Sequence, residues 1–125
     1  MYNILVCDDE KDIVSALSIY LKSDGYQVYK AYNGKEALEL VQKGDIHLVL
    51  MDIMMPEMDG IETAKRIMEM TDHTVPILFV TALCDRQTVT LCRNLDAAGY
   101  IVRPYKPVFV KTEIKRILMG RSEIE

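Results

Sequence analysis

Three stretches of this chain, YNILVC at 2–7, LVLM at 48–51 and VPILFV at 75–80, are short apolar runs without the polar–apolar alternation of a half-exposed strand. Such runs suit strands covered on both faces, as in a parallel sheet flanked by helices. Segments of helical period lie between them. In EKDIVSALSIYLKSDG, Ile13, Ala16, Leu17, Tyr20 and Leu21 are expected to share one face, with Gly25 as the stop. NGKEALELVQKG offers Asn33 as a cap, Ala37, Leu38 and Val41 as an apolar stripe, and Gly44 as terminator. DGIETAKRIMEM repeats the device with Ile61, Ala64, Ile67 and Met68. DRQTVTLCRNLD, 85–96, is the weakest helix, because Thr88, Val89 and Thr90 are stiff β-branched residues that only packing would hold. A last helix, 107–119, opens on Pro107 and carries Val110, Ile114, Ile117 and Leu118. YQVYKA, 26–31, and YIV, 100–102, complete a set of five strands. Strands alternating with helices call for right-handed crossovers: an α/β fold, a doubly wound five-stranded parallel sheet with five helices on its two faces.

The 125 residues fit one domain, expected over 1–120, with 121–125 a C-terminal tail or the start of a linker. No apolar run approaches a membrane span, and MYNILVCDDEKD lacks the basic start and cleavage region of a signal peptide. A cytoplasmic protein without membrane contact is expected. Cys7, Cys84 and Cys92 form no metal-ligand spacing and read as reduced packing residues. Fifteen basic against nineteen acidic residues give a net charge of -4, which argues against direct nucleic-acid contact by this segment.

In a doubly wound sheet, ligands bind beyond the carboxyl ends of the strands. Those ends are unusual here. The first strand runs into Asp8 and Asp9, the third into Asp52, the fourth into Thr81, and the fifth into Arg103 and Pro104. Asp52 follows four apolar residues, where packing alone would favour Leu or Val. Two carboxylates about 4 Å apart repel by roughly 4 kcal/mol at an effective dielectric near 20. A divalent cation would relieve that repulsion, and hard oxygen ligands favour Mg2+ or Mn2+. A carboxylate can also be a nucleophile that forms an aspartyl phosphate, with Thr81 donating to a phosphoryl oxygen and a cation offsetting charge. Taken alone, Asp8 and Asp9 are better read as a turn or as acids favouring the positive end of a helix, and Asp59 as the cap before Gly60. The conjunction at four of five strand ends favours the phosphoryl chemistry.

These motifs resemble the receiver domain of two-component response regulators. ILVCDDE is similar to the family's opening acidic pair, DIMMPEMDG to its phosphoacceptor loop, VTAL to its strand-four segment and AAGYIVRPY to its closing segment. The resemblance covers essentially the whole chain. It implies a flavodoxin-like sheet of order 2-1-3-4-5 and a phosphorylation-dependent switch rather than an enzyme, one that assists only its own phosphorylation and dephosphorylation. It implies Asp52 as phosphoacceptor, and a metal site of Asp9, Asp8 (through water), Asp52 and the Met54 backbone carbonyl. Thr81 and Tyr100 become the switch pair that alters the surface of the fourth helix, fifth strand and fifth helix. The implied partners are a sensor histidine kinase or phosphotransfer domain, and a homodimer through that surface; transcription regulation is an output found in the family. Met54 and Leu83, apolar at positions that influence water access in the family, imply a long-lived phosphoryl group.

One position departs from the family pattern. Arg103 stands where the family has lysine, and a planar fork is not interchangeable with a compact ammonium. Arg103 is therefore expected to reach the phosphoryl group from further out, or to turn toward solvent before modification. The alternative reading is a receiver-like interaction module acting largely independently of phosphorylation. Two other classes fit poorly. An aspartate-nucleophile phosphatase would want a second acid where Met54 stands, and a flavin carrier would need a hydroxyl- and glycine-rich loop where Asp8 and Asp9 would repel phosphate.

Overall fold

The computed structural model describes residues 1–124, with side chains described as far as Gly120. Five strands alternate with five helices: β1 (Asn3–Cys7), α1 (Lys11–Ser23), β2 (Gln27–Ala31), α2 (Gly34–Gln42), β3 (Leu48–Met51), α3 (Gly60–Met70), β4 (Ile77–Thr81), α4 (Arg86–Asn94), β5 (Gly99–Val102) and α5 (Pro107–Ile124). All neighbouring strands are parallel, in the order β2-β1-β3-β4-β5. The expected doubly wound sheet is therefore observed. Its central strands β1, β3 and β4 are the uninterrupted apolar runs, and β3 and β4 are buried throughout.

The sheet divides the core in two. Side chains alternate between its faces, so Leu5, Val49, Met51, Ile77 and Phe79 pack with Ala37, Val41, Ala64 and Ile67 of α2 and α3. Ile4, Val6, Leu48, Leu50 and Leu78 pack on the other side with Val14, Leu17 and Leu21 of α1 and Val110, Ile114 and Leu118 of α5.

Caps fix three helix starts. Asn33 accepts from the Glu36 amide, Asp59 from that of Glu62 and Asp85 from that of Thr88. In α1 the buried face differs from expectation: Val14, Leu17, Ser18 and Leu21 are buried, while Ala16 and Tyr20 are exposed. Ser18 can face inward because its hydroxyl donates to the Val14 carbonyl at 2.7 Å, and Tyr20 instead lies under the Lys111 ammonium of α5. The last helix, expected to stop at 119, continues to Ile124, so helical backbone covers most of the segment expected to be tail or linker; Glu125 lies outside the described residues. As expected of the weakest helix, α4 buries only Cys92.

Gly60 decides how α3 meets the sheet. A Cβ there would overlap the Asp52 backbone carbonyl oxygen and crowd Ile53, and the Gly60 amide donates to the Ile53 carbonyl at 2.9 Å. The helix can thus dock directly beneath the β3 end. Gly60→Ala is expected to destabilise the fold by about 2–3 kcal/mol, as overpacking against backbone does. A urea titration checks this; unchanged stability would show that α3 can retreat from Asp52 without cost.

Candidate functional site at the carboxyl ends of the strands

Pairing of β1 with β3, in register from Ile4↔Leu48 to Cys7↔Met51, places the residues that follow these strands side by side. Asp8, Asp9 and Asp52 each offer a carboxylate oxygen within 4.8 Å of the others, the only such acidic cluster among the described residues. Asp8 and Asp52 are buried, at 3% and 2% exposure, and Asp9 is exposed. Three hard carboxylates converging at this spacing fit a divalent cation of the magnesium or manganese type.

Every buried oxygen that is held is held by a donor. Asp52 Oδ1 accepts from the Ile53 amide at 2.8 Å and from Arg103 Nη2 at 3.4 Å. Its Oδ2 accepts no hydrogen bond from any described residue. Asp8 Oδ1 accepts from the Glu10 amide at 2.9 Å, and Asp8 Oδ2 from Arg103 Nη1 at 3.1 Å. The turn reading of Asp8 was thus correct but incomplete: the same carboxylate caps a turn and faces Asp52. Asp59 caps α3 and also lines an open cavity of ≈ 440 Å³ together with Asp9, Met54, Pro56 and Leu83. Met54 therefore borders the space beside Asp9.

Arg103 corrects one expectation. It is not turned to solvent: its side chain is 15% exposed and its fork bridges Asp8 and Asp52. The β4–β5 ladder directs it there, with the Arg103 amide bonded to the Thr81 carbonyl at 2.8 Å and the bond to Pro104 cis. Its Nε is the one buried side-chain donor or acceptor without a partner among the described residues.

Thr81 is fully buried at the end of β4, and its hydroxyl oxygen accepts from the Leu83 amide at 3.3 Å. Tyr100 is turned inward, its ring tilted against Phe79 and its hydroxyl donating to the Leu83 carbonyl at 2.7 Å. Burial first, then the surrounding anions, holds the Tyr100 phenol protonated, at about 12. Leu83 thus joins the two residues through its backbone, a link that side-chain reasoning missed. Of the three cysteines, Cys7 and Cys92 are buried and Cys84 is exposed, so packing accounts for two of them. Burial, reinforced by Asp8 and Asp52, pushes the Cys7 thiol up to about 12, leaving it protonated.

The family model of the response regulator receiver domain matches residues 4–115, and the chain belongs to that family. It is 35% identical over 98% of its length to response regulator RR06 of Streptococcus pneumoniae, and 38% identical over 97% to the alkaline phosphatase synthesis transcriptional regulatory protein PhoP of Bacillus subtilis. It covers 56% and 50% of those two proteins, so the chain spans about half the length of the curated relatives it matches. A receiver domain of Methanospirillum hungatei superposes with a TM-score of 0.95 at 25% identity, covering 100% of this chain and 99% of that one. The Thermotoga maritima regulator TrrA, solved with Mg2+ and a beryllium fluoride, superposes with a TM-score of 0.85 at 32% identity, covering 94% and 100%. Among the described residues no helix is long and apolar enough to cross a membrane.

Burial pushes the Asp8 carboxyl up from 3.8 to about 6; the Glu10 amide and Arg103 oppose the shift, and Asp52 and Asp9 add to it. The folded value lies above the unfolded one, so this group's contribution to stability is fully present below about pH 4 and is lost as pH rises through about 6. In chelator, Asp8→Asn is therefore expected to gain stability relative to the parent as pH rises from about 5 to about 7.5, by roughly 1 kcal/mol. Urea titrations of both proteins at the two pH values check this. A difference that does not change with pH would mean that Asp8 ionises freely in the fold.

Proposed function

We propose that this receiver domain is a cytoplasmic phosphorylation switch that takes a phosphoryl group on Asp52 from the phosphohistidine of a sensor histidine kinase or phosphotransfer domain, with Mg2+ (or Mn2+) bound. The observation that carries the reading is the state of Asp52: buried, with Oδ1 fixed by two donors and Oδ2 unengaged at the cluster of Asp8 and Asp9. The Oδ2 lone pair attacks phosphorus; the new P–O bond forms as the donor's P–N bond breaks and its electron pair returns to the imidazole. Asp9, Asp52 and the Met54 carbonyl would hold the metal, with Asp8 acting through water. When bound, the ion supplies positive charge that offsets the transferring oxygens and the crowded carboxylates. Arg103 and the Thr81 hydroxyl stand ready to donate to phosphoryl oxygens.

The added charge of about -1.5 to -2 would draw the Thr81 hydroxyl away from the Leu83 amide. Because Tyr100 already holds the Leu83 carbonyl, displacement of this one backbone unit changes both residues and the α4–β5–α5 surface. The lightly packed α4 suits such a movement. We assign homodimerisation to that surface and, by similarity to relatives named as transcriptional regulators, transcription control to the output. The relatives give no support to phosphorylation-independent action.

Incubation with acetyl phosphate and Mg2+ is expected to add one phosphoryl mass to the parent and none to Asp52→Ala or to chelated protein, read by intact-mass spectrometry. A persisting adduct in Asp52→Ala would overturn the assignment. With apolar Met54 and Leu83 beside the site, the adduct should outlast minutes after donor removal. Disappearance within seconds would show that water is positioned by other groups.

A further inference from the structure

The geometry points to a second ligand site at the opposite end of the sheet, where the last turns of α3 and α4 meet the entry of β4. It is a cavity for a small arylalkyl ammonium ion, an aromatic body carrying one protonated amine. The cavity measures ≈ 340 Å³, a volume suited to a small molecule. Met68 of α3, Ile77 of β4 and Leu95 at the end of α4 supply apolar wall, and His73 and Asp96 are exposed members of the same lining. β4 leads from Ile77 at this cavity to Thr81 at the other rim, and no residue is shared with the carboxylate cluster.

Charge decides the class of ligand. The carbonyl ends of two helices carry negative partial charge, and α3 has no basic residue in its last turn to offset it. Asp96 follows the α4 C-cap Leu95; its amide donates to the Arg93 carbonyl at 3.0 Å, and the Ala97 amide to the Cys92 carbonyl at 3.2 Å. This closure holds Asp96 in the left-handed region, at φ 62°, where glycine is the easiest occupant. Asp96 is thus unfavourable twice over, for its backbone and for its charge at a negative helix end. Among the described residues no cation pairs with its carboxylate. Arg93, the basic residue of that last turn, lines a different cavity with Tyr100. An ammonium at Asp96 relieves the electrostatic penalty. Ring chemistry supplies the rest: the Met68 thioether packs favourably at the edge of an aromatic ring, and His73 offers an imidazole to stack. An anion would meet Asp96 and both helix ends. An occupant braces the end of α4, the helix that buries only Cys92, against β4.

The test is an amide-resolved NMR titration with 2-phenylethylamine, run alongside 2-phenylethanol, 3-phenylpropionate and N-acetyl-lysine methylamide, on the parent and Asp96→Gly. The amine is expected to shift the amides of Met68, His73, Ile77 and Leu95 along one saturable isotherm. It should bind about threefold tighter than the alcohol, as one exposed charge pair allows, and the acid should not bind. Asp96→Gly suits the left-handed backbone and so keeps the fold. It should lower the amine to the affinity of the alcohol and leave the alcohol unchanged. Equal affinity for amine and alcohol in the parent, or undiminished amine binding in Asp96→Gly, would overturn the site. So would amine shifts confined to the surroundings of Asp8, Asp9 and Asp52. Tighter binding of the lysine analogue than of the amine would also overturn it, assigning the cavity to a lysine side chain of a protein partner.

Discussion

Three carboxylates within 4.8 Å of one another at the end of a parallel sheet repel each other, and most of what is distinctive in this chain answers that repulsion. Two of the acids are buried, where charge is harder to solvate. Arg103 reaches both of them, backbone amides from Ile53 and Glu10 hold one oxygen each, and Asp8 responds by resisting ionisation. These devices moderate the repulsion without removing it. The remaining negative charge is what makes the site receptive to a divalent cation, and the unengaged Asp52 oxygen is what makes it receptive to phosphorus.

The fold makes this concentration of charge possible. Strand order places β1 beside β3, and their common register carries Asp8 and Asp52 out of the sheet together. α3 docks under the β3 end through Gly60, and the β4–β5 ladder brings Thr81 and Arg103 to the same rim. Local packing and site geometry are therefore linked. Moving α3 or β5 would move a functional group with it.

Much of this was legible in the sequence because its signals are local. Uninterrupted apolar runs mark buried strands, and Asn33 and Asp59 are the caps that the sequence marks. The acidic pair and Asp52 stand out because a charge after four apolar residues has no packing rationale. The misreadings arise where a residue's partner is not marked by the hydrophobic pattern, whether it lies within the same helix or far away in sequence. The α1 face was rotated because Ser18 satisfies its hydroxyl within its own helix and Tyr20 is engaged by Lys111 of α5. Arg103 is not turned to solvent because its partners, 95 and 51 residues away, hold it, and they cannot be weighed from spacing. The Leu83 backbone link between Thr81 and Tyr100 has no side-chain signature at all.

The central claim is that the carboxylate cluster directs a phosphoryl group onto Asp52 rather than onto its acidic neighbours. Phosphorylate the chain with acetyl phosphate and Mg2+, trap the acyl phosphate by borohydride reduction, and locate the resulting homoserine by peptide sequencing. The account predicts homoserine at position 52 alone. Homoserine at position 8 or 9, or a spread over all three, would contradict it.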